Sequence, residues 1–473
     1  MFVNRISELE LVENRFASEQ AEFFVLYGRR RVGKTELLAH FCEGKRAIFF
    51  VSDLGSEISL RSSLSRAMNS VLFGSDQMNA VYSTWEDLFQ ALGNAAQTER
   101  LVVVLDEFPY MVTAHPPLAS ILQRVWDQTL KNTRIMLILC GSYAKHTSCI
   151  GMMEETVLGY QAPLYDRRTG QYLLEPLEFK DARLFYPNYT PEDQVRMYSV
   201  YGGTPAYLNT IQPAKSFAEN ILNGILTRGS FLYDEVRFVL QQELREPRNY
   251  FAILQAIAAG NTRLNDIKQK TGIDGATSYL DTLQQLHLVE RTVPVTETQP
   301  QKSRRGIYRL KDPYLRFWFR YVLPNRSQLE RGGGQIILNN QVLPEIDHFS
   351  SLPFEEICLQ YLWHTGLVGK LPFPPNNIGK WWSANEEIDL LVLGEAQAIL
   401  VECKWTSKPA GLDILENLER KAALVQPELG DCIIRFGLCS RSGFTNQLAE
   451  NAKRRADVLL LDLQTIIDQG GDL

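Results

Sequence analysis

Uninterrupted apolar runs mark the first third of the chain. They occupy residues 23–26, 47–51, 101–105 and 135–140, and a fifth run at 171–174 is apolar after Gln171. An unbroken apolar run is typical of a parallel strand that is covered on both faces. Apolar positions at helical spacing over 1–22 and 36–41 predict helices next to the first strand. The pattern therefore predicts an α/β domain built on a parallel sheet.

The turn after the first run carries the pattern G-x-x-x-x-G-K-[ST]. Glycines in such a turn let backbone N–H groups wrap a phosphate, and the following helix directs its positive end to the same place. The lysine reaches the β- and γ-phosphates, and the hydroxyl holds Mg²⁺. We expect ATP and Mg²⁺ as cofactors, with Thr35 as a metal ligand. The predicted nucleotide contacts are Gly28, Arg29, Arg30, Arg31, Val32, Gly33, Lys34, Thr35 and Glu36.

Two carboxylates, Asp106 and Glu107, end the third run. Parallel sheets bind ligands at the carboxyl ends of their strands. We expect Asp106 to hold Mg²⁺ through water and Glu107 to act as the general base that polarises the attacking water. A charged strand end without a role would be the interpretation if the pair stood alone.

Polar residues also flank the fourth and fifth runs. Ser142 is either a sensor of the γ-phosphate or a helix cap. Arg167 and Arg168 precede the fifth strand. They form either an arginine finger, which reaches a phosphate of its own or of a neighbouring subunit, or ordinary surface charges.

These motifs resemble the predicted archaeal-type ATPase family, an AAA-like group of signalling P-loop NTPases of the MNS-type clade. The resemblance rests on Tyr27–Thr35, Leu101–Glu107, Gly141-Ser142, Leu164–Arg168 and the Gly-Gly-Thr-Pro segment within Tyr201–Leu208. It implies an ATPase core at 1–175 and a helical lid at 176–240. Its functional residues carry over as Lys34, Thr35, Asp106 and Glu107, whereas Asp166 stands where the family often has a glycine.

The order of helices and strands predicted over residues 241–330 is that of a winged helix with a connecting helix. Three short helices are expected, followed by two strands around a polar tip. In one interpretation the module contacts DNA phosphates, and in the other it packs within the protein. The candidate contacts are Thr277, Ser278, Lys302, Arg304 and Arg305. We expect the aromatic segment 312–321 to be a docking helix in preference to a base-stacking surface.

The last segment, 331–473, follows a glycine joint and contains a second set of charged residues. Glu402 and Lys404 lie two apart on a predicted strand, so they project from one face, and Asp389 comes from the neighbouring strand. Two carboxylates and a lysine can hold Mg²⁺ and activate a water. A simple salt bridge in an inactive scaffold is the alternative.

This pattern resembles a DUF234-like, PD-(D/E)xK nuclease-like domain with a restriction-endonuclease-like α/β fold. The resemblance implies that Asp389 and Glu402 are metal ligands and that Lys404 is catalytic. Glu387 and Glu355 or Glu356 are further possible ligands, and Ile388 stands where the motif has a proline.

Composition narrows the class of protein. The 473 residues carry a net charge of −6, which argues against a nucleic-acid coat over the whole surface. Seven cysteines without a C-x-x-C pair predict reduced thiols in a cytoplasmic protein. No signal-peptide core or membrane-length apolar run is present, so we expect no membrane partner.

Two functions follow. In the first, an ATPase controls a Mg²⁺-dependent nuclease-like domain that acts on nucleic acid, DNA in preference to RNA. In the second, an ATP-dependent regulatory switch binds partners through its winged helix and last domain without cleavage. A homo-oligomer is possible in either case.

Overall fold

The computed structural model describes residues 2–73, 81–141, 153–244 and 247–469. The chain forms two compact units. The first comprises Met1–Pro176, Arg237–Arg248 and Asp281–Leu286, and the second comprises Leu177–Val236, Asn249–Leu280 and His287–Leu473. Within the described residues, no helix has both the length and the apolar character that a membrane crossing requires.

The first unit is built on a five-stranded sheet in the order β2-β3-β4-β1-β5, and all neighbouring strands are parallel. Its strands are β1 (Glu22–Tyr27), β2 (Ala47–Val51), β3 (Leu101–Asp106), β4 (Ile135–Gly141) and β5 (Gly170–Leu173). Each apolar run of the sequence overlaps one of these strands. The predicted α/β fold with a parallel sheet is therefore confirmed.

Helices cover this sheet on both faces. They are α1 (Ile6–Ala17), α2 (Lys34–Cys42), α3 (Glu57–Phe73), α4 (Trp85–Ala95), α5 (Phe108–Ala114) and α6 (Leu118–Gln128). Alternate residues of one strand enter different cores: Phe23 packs in one core and Phe24 in the other. This double coverage explains why β1 and β3 carry an unbroken apolar run inside the strand, at 23–26 and 101–105.

The carboxyl ends of these strands place the candidate residues at one edge. The turn after β1 leads into α2, and β3 ends at Asp106. Strand β4 lies between β1 and β3. The loop after β1 and the acidic end of β3 thus lie at the same edge of the sheet, where the strands have their carboxyl ends.

The second unit begins with short helices in the segment expected to be a lid. They are α7 (Phe179–Ala182), α8 (Pro191–Tyr201), α9 (Pro205–Leu208) and α10 (Phe217–Gly224). The Gly-Gly-Thr-Pro segment separates α8 from α9, and the Leu177 N–H donates to the Gly203 carbonyl at 2.7 Å. A Cβ on Gly203 would lie 1.7 Å from the Leu177 oxygen, so this position requires glycine for space.

Further helices and a hairpin occupy the middle of the chain. They are α11 (Glu235–Glu243), α12 (Pro247–Ala258), α13 (Leu264–Thr271), α14 (Ala276–Gln285), β6 (Val289–Thr292) and β7 (Ile307–Leu310). Strands β6 and β7 are antiparallel.

The aromatic segment continues the chain as α15 (Pro313–Phe317), followed by α16 (Arg326–Leu329), α17 (Gly334–Ile337) and α18 (Leu343–Leu367). The rings of Tyr314, Phe317 and Trp318 are fully buried. Tyr314 packs against Tyr207 with ring centroids 4.8 Å apart. These rings dock elements of the second unit and are not accessible for base stacking.

The second unit ends in a mixed sheet in the order β12-β11-β10-β9-β8. Strands β8, β9 and β10 are antiparallel neighbours, whereas β10, β11 and β12 are parallel. The elements are β8 (Asn377–Trp382), β9 (Glu387–Leu393), β10 (Gln397–Lys404), α19 (Leu412–Leu429), β11 (Ile433–Ser440), α20 (Asn446–Lys453), β12 (Val458–Asp462) and α21 (Leu463–Gln469).

Candidate functional site

The loop after β1 is shaped by its two glycines. A Cβ on Gly28 would lie 2.4 Å from the Leu174 carbonyl oxygen, so the loop begins where only glycine fits. Gly33 caps α2 with a φ of 91°, a backbone conformation that favours glycine. The buried Lys34 ammonium donates to the carbonyls of Gly28 and Arg29, both at 3.0 Å. The lysine is thus held inside the loop that a phosphate would occupy.

The end of β3 meets this loop through a direct hydrogen bond. The Thr35 hydroxyl donates to Oδ2 of Asp106 at 2.5 Å, and Oδ1 accepts the Glu107 N–H at 2.9 Å. Asp106 is fully buried. A hydroxyl and a carboxylate in contact are the hard oxygen ligands that Mg²⁺ prefers.

Glu107 follows directly and is the N-cap residue of α5, with a positive φ of 52°. Burial raises the pKa of its carboxyl, although the charges of Lys34 and Arg30 act in the opposite direction. The Arg30 guanidinium donates to the Tyr110 hydroxyl at 3.0 Å. Together these residues fit a Mg²⁺-nucleotide: a lysine in a glycine loop, a paired hydroxyl and carboxylate, and a second carboxylate in cationic surroundings.

Arg5 contributes to this site through contacts with the loop after β1 that the sequence did not predict. Its buried guanidinium donates to the Val32 carbonyl at 3.1 Å and to the Glu175 carbonyl at 2.8 Å, and it pairs with Glu8 at 2.7 Å. The side chain therefore joins the phosphate loop to the chain that leaves β5. Its position just ahead of an amphipathic helix was the only signal in the sequence.

We expect Arg5→Met to weaken ATP binding about tenfold, because hydrogen bonds from a charged group are each worth roughly 1.5–3 kcal/mol and the loop would lose its support. Titration with a fluorescent ATP analogue measures this effect. Arg66→Met is the matched control, since Arg66 is exposed and its guanidinium bonds the nearby Ser63. Unchanged affinity in both variants would contradict a positioning role.

The remaining residues proposed for the first unit do not join this cluster. Ser142 lies outside the described residues. Arg167 and Arg168 precede β5 at the amino end of the sheet, because Gly170 pairs with Phe24 and Thr169 bonds Phe23. Phe23, the residue that Thr169 bonds, lies five residues before Gly28 along β1, which is about 16 Å at the rise per residue of a strand.

This distance corrects the expectation that the arginine finger reaches a phosphate of its own subunit. Neither arginine reaches a phosphate in its own loop. Arg167 instead pairs with Asp127 at 2.9 Å, and Arg168 donates to the Tyr165 carbonyl at 2.9 Å. The neighbouring-subunit alternative and the surface-charge alternative remain.

The second unit holds the other set of charged residues on one face of its mixed sheet. The antiparallel register pairs Leu400 with Leu391, which places Asp389 opposite Glu402. Glu402 is buried, and its two oxygens bond Lys404 at 2.6 Å and Lys421 at 3.2 Å. Burial, followed by the charge of Glu402, raises the pKa of Asp389 to about 7.

Lys421 was not predicted to belong to this cluster. The pair Glu419/Lys421 is one of several E-x-K matches without weight in the sequence. Helix α19 brings Lys421 onto the sheet face. Glu355 forms an ion pair with Lys380, and its negative charge also helps to raise the pKa of Asp389. Among the described residues, no group of three metal-ligating side chains includes one of these carboxylates.

The hairpin tip after β6 lies against the edge strand β8 within the second unit. The Val295 N–H donates to the Lys380 carbonyl at 2.8 Å, and Arg305 donates to the Trp382 carbonyl. Arg305 also pairs with Glu297 at 3.4 Å. Arg305 therefore takes part in packing within the second unit, whereas Lys302 and Arg304 are exposed.

Two family models match the chain. A model described as an ATPase domain predominantly from Archaea matches residues 2–211. The DUF234 model, described as archaeal and bacterial proteins of unknown function, matches residues 318–421.

Individual relatives extend this similarity. The uncharacterized protein MJECL04 of Methanocaldococcus jannaschii is 33% identical over 461 residues, which cover 92% of this chain and 98% of that protein. The uncharacterized ATP-binding protein MJ0423 of the same organism is 52% identical over 46 residues, or 10% of this chain and 78% of that protein. The Walker-type ATPase PABY2304 of Pyrococcus abyssi is a solved structure with 18% identity and a TM-score of 0.49. It covers 67% of this chain and 96% of that one.

Proposed function

The chain belongs to the family of archaeal-type ATPases that carry a DUF234 region toward the C-terminus, and on this premise we propose that it binds ATP with Mg²⁺ and hydrolyses it. The observation that carries the proposal is the contact between the Thr35 hydroxyl and Asp106 beside the loop-bound Lys34. ATP bound with Mg²⁺ would supply the phosphorus atom that water attacks. Residues of this chain would bind the phosphates, hold the metal and accept the proton from water.

Each residue of the cluster has a distinct role in the proposal. Lys34 would bind phosphate oxygens in place of its two loop carbonyls. Thr35 would hold the metal directly and Asp106 through water, and the backbone N–H groups at the start of α2 would bind phosphate. Glu107 accepts a proton from water, and its raised pKa suits that task.

Loss of Lys34 tests nucleotide binding directly. We expect Lys34→Ala to abolish measurable ATP binding and phosphate release by the full-length protein, because a buried cation that faces the phosphates is removed. Lys131→Ala, at an exposed site of the same unit, is the control and should be inert. ATP turnover that persists in Lys34→Ala would reject the proposed site.

For the second unit, one observation favours a nuclease-like domain. Asp389, Glu402 and Lys404 share one face of a sheet that follows α18 in the order strand, strand, strand, helix, strand. In that proposal Asp389 and Glu402 would hold Mg²⁺, and the substrate would be nucleic acid, DNA in preference to RNA. Since both Glu402 oxygens are paired with lysines, the described residues do not form a ready metal site.

A different observation favours the switch without cleavage. The Lys404–Glu402–Lys421 cluster is satisfied as a buried salt bridge, which needs no metal. The contact of the hairpin tip with β8 also supports the interpretation in which the module at 241–330 packs within the protein. In this alternative ATP controls binding of partners.

One experiment separates these two candidates. We expect a nuclease to cleave single- or double-stranded DNA with Mg²⁺ or Mn²⁺, and Asp389→Ala and Lys404→Ala to lose cleavage while ATP turnover stays unchanged. Glu416→Ala, an exposed carboxylate on α19, is the control. No cleavage with or without ATP, together with intact ATP turnover, would favour the switch.

A further inference from the structure

Three cysteines that are distant in the sequence meet in the second unit. Cys358 lies on α18, Cys403 on β10 and Cys439 on β11. Cys403 and Cys439 are paired in register on neighbouring parallel strands. The three sulfur atoms lie within 4.8 Å of one another. In the described part of the chain, this is the only group of three or more metal-ligating side chains that converges in this way.

The cluster is shielded from water. Cys358 and Cys439 are fully buried, and 9% of Cys403 is exposed. Phe354 lies one helical turn before Cys358, and Trp405 lies two residues beyond Cys403. The two rings are in contact with centroids 5.0 Å apart. The surroundings are thus apolar and aromatic, and Cys403 is nearest to the surface.

The thiols also interact with one another. Hydrogen bonds link the Cys439 thiol to the thiols of Cys358 and Cys403. Cysteines that only fill space in a core do not need to bring their sulfur atoms together. Here the sulfur atoms of all three cysteines converge on one position.

We propose that Cys358, Cys403 and Cys439 form a trigonal thiolate site for a soft monovalent cation, with Cu(I) as the ion that fits. Three ligands at a metal–sulfur distance of about 2.3 Å in one plane place their sulfurs about 4 Å apart, within the observed limit. Thiolates select soft ions. Structural zinc sites and iron–sulfur clusters use four ligands, and the described residues provide three here.

The site lies on the sheet face opposite Glu402 and Lys404, because Cys403 stands between them on β10. The Cys403 N–H donates to Asp389 at 2.8 Å. An ion held by Cys403 would therefore fix the backbone that supports Asp389. Each coordinating thiol releases its proton on binding.

The test is a titration of reduced full-length protein with Cu(I) in competition with a chromophoric Cu(I) chelator, without oxygen. We expect one equivalent to bind, with three sulfur neighbours in X-ray absorption. Cys439→Ala should weaken binding at least about 100-fold, because even loss of an outer-shell partner costs 10- to 100-fold. A variant with serine at Cys42, Cys149 and Cys432 should bind like the unchanged protein.

Several results would overturn the proposal. They are no competition with the chelator, equal binding by Cys439→Ala, loss of binding in the triple serine variant, or a two-coordinate ion. One equivalent of four-coordinate Zn(II) in place of Cu(I) would also reject it. ATP turnover and the melting temperature show whether Cys439→Ala is folded, and the absorption spectrum of the unchanged protein tests the site without any variant.

Discussion

Glu107→Gln is expected to lower ATP turnover by about 10²–10⁴-fold, the contribution of a positioned general base, while ATP binding is retained. Glutamine keeps the size of the side chain and loses the proton acceptor. Lys34, Thr35 and Asp106 are untouched, so the nucleotide contacts proposed for them remain. Steady-state phosphate release and nucleotide titration measure the two effects separately.

The pH profile gives a second signature of the same role. Burial raises the pKa of Glu107, so its carboxylate becomes protonated at a higher pH than an ordinary glutamate does. A base must be ionised, and turnover should therefore fall as pH falls through that raised pKa. Glu107→Gln should lack this acidic limb.

Glu99→Gln is the matched control. Glu99 precedes the same strand at its other end, and 70% of its side chain is exposed beside Arg46. Its loss should leave turnover unchanged. Equal activity of Glu107→Gln and Glu99→Gln would contradict the base assignment.

Arg167→Ala is expected to lower turnover about 10³-fold or more if the arginine completes the site of a neighbouring subunit, since arginine fingers contribute 10³–10⁵. Because Arg167 precedes β5 at the amino end of the sheet, it cannot reach a phosphate in the loop of its own chain. As a surface charge, Arg167 would contribute at most about 1 kcal/mol of stability through Asp127. Arg168→Ala, measured in parallel, decides which arginine acts.

Mixing variants identifies action between subunits. Lys34→Ala retains Arg167 but lacks its own nucleotide site, and Arg167→Ala has the reverse defect. Mixed in equal amounts, the two inactive proteins should regain turnover. Asp127→Asn is the control, because it releases Arg167 and keeps the guanidinium. No recovery, or equal loss in Asp127→Asn and Arg167→Ala, would leave Arg167 a structural residue.

Part of the candidate site was readable from local sequence. The glycine loop, Lys34 and Thr35 are adjacent in the chain, and Asp106 ends an apolar strand. Neighbouring residues have fixed spacing, and parallel strands deliver their ends to one edge. The structure accordingly joins Thr35 to Asp106.

Residues that act across long separations were not readable in this way. Arg5 supports Val32 and Glu175 only because the N-terminal segment lies against the loop. Lys421 meets Glu402 only because α19 covers that face of the sheet.

The sequence by itself determined the parallel sheet, its double coverage and the phosphate loop, because apolar periodicity and short motifs act over a few residues. Tertiary structure alone decided that Arg167 pairs with Asp127, which lysines neutralise Glu402, and that Cys358, Cys403 and Cys439 meet. These contacts depend on strand order and helix packing, because both bring together side chains that are tens of residues apart in the sequence. A sequence pattern that spans a few residues cannot predict such contacts.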